Sequence, residues 1–400
     1  MYGNVLIFML LISLRGVPGK ENEEDLQIIT KLITSNGFPV ETHEVETEDG
    51  YFLTVHRIPR GKNQLNGSTG TPVLFSHGMG GSAENFLWMG PEKSLGYKLA
   101  DCGFDVWLLN ARGSWHSLKH KTLDPDRDRD FWKFSWHEIA VFDIPATIDY
   151  ILDKTNRKSL HYVGLSQGTT TLFAMGSERV RYNDKIKVMI ALGPAAVIIK
   201  PKHPLIRLLL PLYEYFQLLA KILRVYKLPP LISMSTSHKI FYGICGHKFS
   251  PVFVCKYVMF ILGGIEHEQF DTKVIPLVAL TAPAGMSTNQ MVHYAQNIKR
   301  GRFEQFDFGK KENLKKYGLE KPPSYNITRA TFPVALVYVE NDLFVSKEAL
   351  EILVTSLPNI VDVYKVPNKE WTHTDLIWGK DMDILLNPRV IDLLRKYDYE

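Results

Sequence analysis

Residues Tyr162–Ala174 read YVGLSQGTTTLFA, and inside them Gly164-Leu165-Ser166-Gln167-Gly168 forms a Gly-x-Ser-x-Gly pentad. With Gly near 7% of residues and Ser taken as similar, such a pentad arises by chance in roughly one chain in seven of this length. Its neighbours decide its meaning. Leu160–Leu165 is a β-rich apolar run that ends on Ser166, and Gln167–Ser177 has helical character. A strand that turns sharply into a helix at a serine between two glycines is a nucleophile elbow. The serine takes a strained backbone conformation, the glycines let strand and helix approach closely, and the helix start aims free N–H groups at the same point.

The same alternation runs outward from the pentad. Strand candidates are Val73–Phe75, Phe104–Leu109, Leu160–Leu165, Ile186–Leu192, Pro333–Val339 and Ile360–Val366. Phe134–Leu152 carries apolar residues at helical spacing, and the last helix covers roughly Ile384–Leu394. Strands alternating with helices predict an α/β fold with a mostly parallel central sheet. From about residue 197 to 325 the rhythm is lost. His203–Tyr226 is rich in Leu, Ile and Tyr at helical spacing, with Pro211 placed to kink it. Placed between two strands of one sheet, this region is expected to be a mostly helical insertion that caps the sheet and offers an apolar surface. Many of its apolar side chains are expected in a core.

A serine hydroxyl needs a base to take its proton, and the base needs an orienting acid. On this fold class the chain order is Ser, then Asp or Glu, then His, each in a loop at the carboxyl end of a strand. Asp342 and His373 stand in that order at the exits of the last two predicted strands. The charge that develops on a carbonyl oxygen needs preorganised donors. The backbone N–H of Gln167, next after Ser166, is one. The other is expected in His77-Gly78-Met79-Gly80-Gly81, after the Val73–Phe75 strand, and Met79 is the candidate. His77 itself is expected to be structural.

Composition bounds the alternatives. The chain has 400 residues, 45% hydrophobic and 22% charged, which suits one large globular unit or two ordinary ones. A net charge of +4, with no basic stripe, excludes nucleic acid as an expected partner. Val5–Leu14 is too short to span a bilayer and fits the apolar core of a signal peptide over residues 1–19. Asn66 and Asn326 begin glycosylation sequons. Of three cysteines, Cys245 and Cys255 can close a short loop in an oxidising compartment, and Cys102 is expected to be a buried free thiol. No Cys and His spacing suits zinc, and Glu266-His267-Glu268 reads as solvated surface.

Taken together, TEDGYFLTVHRIP, SHGMGGSAENF, GPEKSLGYKLADCGFDVWLLNARG, HKTLDPDRDRDFWKFSWHEIAVFDIPATIDYIL, YVGLSQGTTTLFA, AGMSTNQMVHYAQ and HTDLIWG resemble the acid lipases, the gastric, lingual and lysosomal group. The likeness runs from about residue 26 to 390. It implies an α/β-hydrolase fold with a mostly helical cap and lid, divided here as core 20–196, cap and lid 197–325, and core 326–400. It implies hydrolysis of long-chain carboxylic esters, such as triacylglycerols or sterol esters, at a lipid–water interface, with no metal or cofactor. The family nucleophile falls on Ser166, the acid on Asp342 rather than Glu340 or Asp375, and the base on His373. The oxyanion donors fall on Met79 and Gln167, and the cap disulfide on Cys245 and Cys255. The chain departs from the family at Leu165, usually His or Tyr, and at Ser114, usually Asn. The segment between Cys245 and Cys255 is one residue longer than usual.

A secreted or lysosomal serine lipase is therefore expected. A short-chain carboxylesterase is the alternative among enzymes. A catalytically inactive lipid-binding protein on the same scaffold is the alternative outside them, and the survival of Ser166, Asp342 and His373 weighs against it.

Overall fold

The computed structural model describes residues 27–64, 70–228, 269 and 271–398. The leader, Asn66, Cys245, Cys255 and Glu266-His267-Glu268 lie outside the described residues. The main sheet has nine strands in chain order: β1 Glu41–Glu46, β2 Tyr51–Ile58, β3 Pro72–Ser76, β4 Asp105–Leu109, β5 Lys119–His120, β6 Leu160–Leu165, β7 Ile186–Leu192, β10 Val334–Tyr338 and β11 Ile360–Lys365. Two further short strands, β8 Lys227–Leu228 and β9 Met286–Ser287, pair with each other.

Spatial order in the main sheet is β1-β2-β4-β3-β6-β7-β10-β11, with β5 beside β2. From β4 to β11 all neighbours are parallel, and β1, β2 and β4 form an antiparallel edge. The central parallel strands are buried on both faces, which is why they read as continuous apolar runs, while β11 at the edge has no buried residue. Neighbouring residues serve opposite cores: Phe75, Val163 and Val337 pack on one face, and Leu74, Tyr162 and Leu336 on the other. The chain goes from β3 to β4 on one side, while β6 lies on the other side of β3. That reversal opens a crevice at the carboxyl ends of β3 and β6, where α/β sheets hold their ligands.

The expected helix over Phe134–Leu152 is three pieces: an α-helical turn Trp136–Glu138, a π-helical turn Ile139–Asp143, and an α-helix Ile144–Thr155. The π turn delivers Asp143 to Arg112. Arg112 Nε donates to Asp143 Oδ1 at 2.6 Å, Arg112 N–H donates to Asp143 Oδ2 at 3.0 Å, and Arg112 Nη2 donates to Asp49 Oδ1 at 2.7 Å. The guanidinium also lies 4.0 Å from the Tyr51 ring centroid. This buried group ties the loop after β4 to the β1–β2 turn and to the helix before β6.

Between β7 and β10 the described elements are mainly helices. Pro204–Leu209 and Tyr213–Leu223 flank a 3-10 turn containing Pro211, the expected break. None of their side chains is buried, contrary to the core role expected for them; Leu208, Tyr215 and Ile222 are each about two-thirds exposed or more, at 66%, 72% and 66%. The helix Thr288–Arg300 instead anchors the region. His293 stacks on Trp136 with centroids 3.8 Å apart, its Nδ1 is 3.1 Å from Ser135 Oγ, and its Nε2 is 2.8 Å from the Glu304 carbonyl. Cys102 is a free thiol but only half-buried, because it caps the exposed end of the helix Leu95–Asp101.

Arg112→Met should cost about 3–5 kcal/mol of stability, because Asp143 is left as a buried charge without its partner. Urea unfolding of the purified variant measures this, and a loss below about 1 kcal/mol would contradict the assignment.

Candidate active site

Ser166 follows β6 directly and has φ 51° and ψ −112°, the left-handed half of backbone space where a non-glycine residue is strained. Such a conformation costs of order 1–3 kcal/mol and persists only when its surroundings enforce it. Two close approaches enforce it here. A Cβ on Gly168 would lie 2.2 Å from the Ser76 carbonyl oxygen, and one on Gly164 would lie 2.8 Å from the Gly168 carbonyl carbon. Both positions are thus closed to any side chain. Ser166 N–H donates to the Leu192 carbonyl at 2.9 Å, and Tyr162 Oη donates to the Gly168 carbonyl at 2.8 Å.

Gln167 is the first residue of the helix Gln167–Glu178, where a backbone N–H has no partner within its own helix. Met79 lies in the turn after β3, closed by Gly81 N–H donating to the Gly78 carbonyl at 3.1 Å. This turn passes over the serine: a Cβ on Gly78 would stand 3.4 Å from Ser166 Cβ. From the other side, Ala284 N–H donates to the Gly80 carbonyl at 2.7 Å.

Asp342 follows β10, and His373 follows β11. His373 Nδ1–H donates to Asp342 Oδ2 at 2.7 Å, and both residues are buried. Asp342 Oδ1 accepts from the N–H groups of Phe344 and Val345 at 2.8 and 2.9 Å, so its carboxylate is held at both oxygens. With its proton committed at Nδ1, His373 presents Nε2 as a lone pair. That atom is buried and has no hydrogen-bond partner among the described residues. The imidazole lies against Gly193, where a Cβ would meet His373 Cε1 at 2.6 Å. Ser166 is bonded to Leu192, the residue before Gly193, so the serine and the imidazole both rest on the end of β7. Nothing in the sequence marked Gly193 for this role beyond its place at a strand end.

The other carboxylates near these positions are occupied elsewhere. Glu340 is exposed, with Lys365 Nζ 3.3 Å away, and Asp375 accepts from Thr372 N–H and Oγ1 at 2.7 and 2.8 Å. Asn326 is exposed, and its Oδ1 accepts from Thr328 N–H and Oγ1 within its own sequon. Among the described residues, no group of three or more His, Cys, Asp or Glu is gathered as a metal ion would need. Two grooves of about 270 and 640 Å³ lie elsewhere on the surface, and neither includes Ser166, Asp342 or His373.

A strained serine at the carboxyl end of a central parallel strand, with a His–Asp pair from later strands at the same edge, defines the α/β-hydrolase class. The profile described as "alpha/beta hydrolase fold" matches residues 71–240, and "Partial alpha/beta-hydrolase lipase region" matches residues 29–90. The solved α/β hydrolase GrgF from Penicillium sp. sh18 superposes with a TM-score of 0.52 at 14% identity, covering 90% of this chain and 100% of that one. That likeness is one of fold.

Known proteins at higher identity narrow the family. Gastric triacylglycerol lipase of Bos taurus is 35% identical, over 98% of this chain and 96% of that protein. Lipase 1 of Drosophila melanogaster is 37% identical, over 92% and 80%. Lysosomal acid lipase/cholesteryl ester hydrolase of Homo sapiens is 35% identical, over 92% and 91%. The chain belongs to the acid lipase family and is a carboxylic ester hydrolase.

His77 sits beneath the Gly78–Gly81 turn. Its Nε2 accepts from Ala111 N–H at 3.1 Å, which leaves Nδ1–H to donate to the Gly78 carbonyl at 2.8 Å. Burial pushes this imidazole down to about 4, so the neutral ring is the native one. The unfolded chain binds a proton here below about pH 6.5, while the native ring resists it down to about pH 4. Stability from this residue is therefore complete above pH 6.5 and falls by about 1.4 kcal/mol per pH unit as pH drops through that window. An NMR titration of the His77 ring should find it uncharged at pH 5; a midpoint near 6.5 would contradict this.

Proposed function

We propose that this protein is a lipase that cleaves esters of long-chain fatty acids, triacylglycerols or sterol esters, through an acyl-enzyme on Ser166. The observation that carries the proposal is the strained Ser166 elbow at the same sheet edge as the Asp342–His373 pair. In this reading, His373 Nε2 takes the Ser166 proton while Asp342 holds the imidazole and stabilises the imidazolium. Ser166 Oγ attacks the ester carbonyl. The N–H groups of Met79 and Gln167 donate to the tetrahedral oxyanion. His373 returns the proton to the leaving alcohol, and water repeats the sequence on the acyl-enzyme.

Long-chain substrates are supported by the exposed apolar side chains of Tyr213–Leu223, among them Tyr215, Leu218, Leu219 and Ile222. They offer a surface on which an acyl chain or a lipid–water interface loses apolar area to water. They belong to a proposed cap over residues 197–325 that interrupts a core of residues 20–196 and 326–400. Work outside the cytosol, after secretion or in the lysosome, is supported by the leader-like residues 1–19 and by the gastric and lysosomal relatives. Among the described residues no helix is long and apolar enough to cross a membrane.

Ser166→Ala should abolish turnover with the fold intact, and Asp342→Asn should lower kcat by about 10⁴-fold by fixing the wrong imidazole tautomer. Wild-type protein should turn over dispersed long-chain triacylglycerol faster than dissolved short-chain esters. The reverse order would make it a short-chain carboxylesterase.

A further inference from the structure

Behind the oxyanion turn lies a buried carboxylate–imidazole pair. Glu84 Oε1 and His116 Nε2 are 2.6 Å apart, and both side chains are almost fully enclosed, at 0% and 1% exposure. Glu84 stands in the short 3-10 helix Ala83–Phe86 that continues the turn after β3. His116 stands in the loop after β4. These two loops are joined at four places. Ala111 N–H bonds to His77 Nε2, Ala83 N–H bonds to Asn110 Oδ1 at 3.0 Å, and Glu84 bonds to His116. The fourth link runs through Ala284: Trp115 N–H donates to its carbonyl at 2.7 Å, and Ala284 N–H donates to Gly80 at 2.7 Å. One rigid segment, Asn110–Ser117, thus grips the turn on both flanks of Met79.

The pair is costly in itself. Among the described residues Glu84 Oε2 and His116 Nδ1 are buried without a hydrogen-bond partner of normal geometry, although the Ser82 hydroxyl and the Glu84 backbone N–H lie close enough to steady the carboxylate. Replacing a buried, imperfectly satisfied ion pair by apolar side chains is often neutral or stabilising. The groups that face it are the imidazoles of His56 on β2, whose ring is 5.6 Å from that of His116, and of His77 at the end of β3. Burial alone would raise the Glu84 carboxyl, but the charge and hydrogen bond of His116 outweigh it and hold the carboxyl down at about 2. The Glu84 carboxyl therefore stays ionised into acidic solution.

We propose that the buried Glu84–His116 pair positions the oxyanion turn, fixing the backbone from Gly78 to Ser82 so that the Met79 N–H meets the charge developing on the ester carbonyl oxygen. This rests on the Ser166 acyl-enzyme mechanism proposed above. Among the described residues neither Glu84 nor His116 is hydrogen-bonded to Ser166, so in this proposal they act through the turn that carries Met79. A charge-assisted hydrogen bond is short and directional, which suits holding a backbone donor in place. A donor displaced from the oxyanion loses its effect on the transition state while leaving substrate binding largely unchanged.

The test compares wild type with Glu84→Gln and with the apolar double variant Glu84→Leu/His116→Met. Active sites are counted by stoichiometric fluorophosphonate labelling, and kinetics are run on p-nitrophenyl butyrate. In the double variant, kcat per labelled site should fall at least about tenfold with KM within about twofold, while Tm stays equal or rises. Affinity for a boronic acid that forms a tetrahedral serine adduct should fall by the same factor as kcat. Glu84→Gln keeps the shape and one hydrogen bond, and should lie between the two in kcat; it serves if the double variant does not fold. Wild-type kcat per labelled site in either folded variant, or a loss confined to Tm, would overturn the proposal. Failure of wild type itself to label would instead overturn the Ser166 mechanism.

Discussion

The active-site geometry depends on one close approach. The first turn of the helix Gln167–Glu178 presses its backbone onto the end of β3, so tightly that a Cβ on Gly168 would sit 2.2 Å from the Ser76 carbonyl oxygen. That contact lets the chain reverse within a single residue, and Ser166 absorbs the reversal at φ 51°. It also brings the Gly78–Gly81 turn over the serine. The positions of Ser166 and of the Met79 and Gln167 N–H groups are therefore set by backbone packing between adjacent parallel strands, before any side chain contributes. The Asp342–His373 pair comes from the far side of the same sheet edge and leans on Gly193 at the end of β7.

Loops carry this chemistry, and buried charge holds the loops. Arg112 fixes the loop after β4 from below through Asp143 and Asp49. The same loop then holds the turn after β3 through Asn110, Ala111 and His116. Such groups cost desolvation and favour one arrangement over near alternatives when their hydrogen bonds are met. The outer helices Pro204–Leu209 and Tyr213–Leu223 are built on a different principle, with apolar side chains left facing outward.

The central parallel strands were legible because burial on both faces makes them apolar; Leu160–Leu165 and Ile186–Leu192 have the expected bounds. The outermost antiparallel strand was not, since β1 reads ETHEVE and is largely exposed, so its pattern resembles a charged loop. The break in Phe134–Leu152 escaped because Ile139, Ala140, Ile144 and Ile148 read at α-helical spacing straight across the π turn, although Asp143 in a buried register was a sign of it. Apolar spacing found the helix Tyr213–Leu223 but also gave many of its side chains a core role they do not have, because it reports a face and not what covers that face. Asp342 and His373 could be picked out by order and strand exits. Gly193 and the Glu84–His116 pair could not, because no spacing rule joins two loops 32 residues apart.

The most direct measurement is a crystal structure of the protein after reaction with a long-chain alkyl phosphonate. The account requires a covalent bond from Ser166 Oγ to phosphorus. It places the phosphoryl oxygen within about 3.1 Å of both the Met79 and Gln167 N–H groups, with His373 Nε2 facing the leaving-group side. A phosphonate bonded to another residue, or one on Ser166 whose oxygen meets neither N–H, would contradict it.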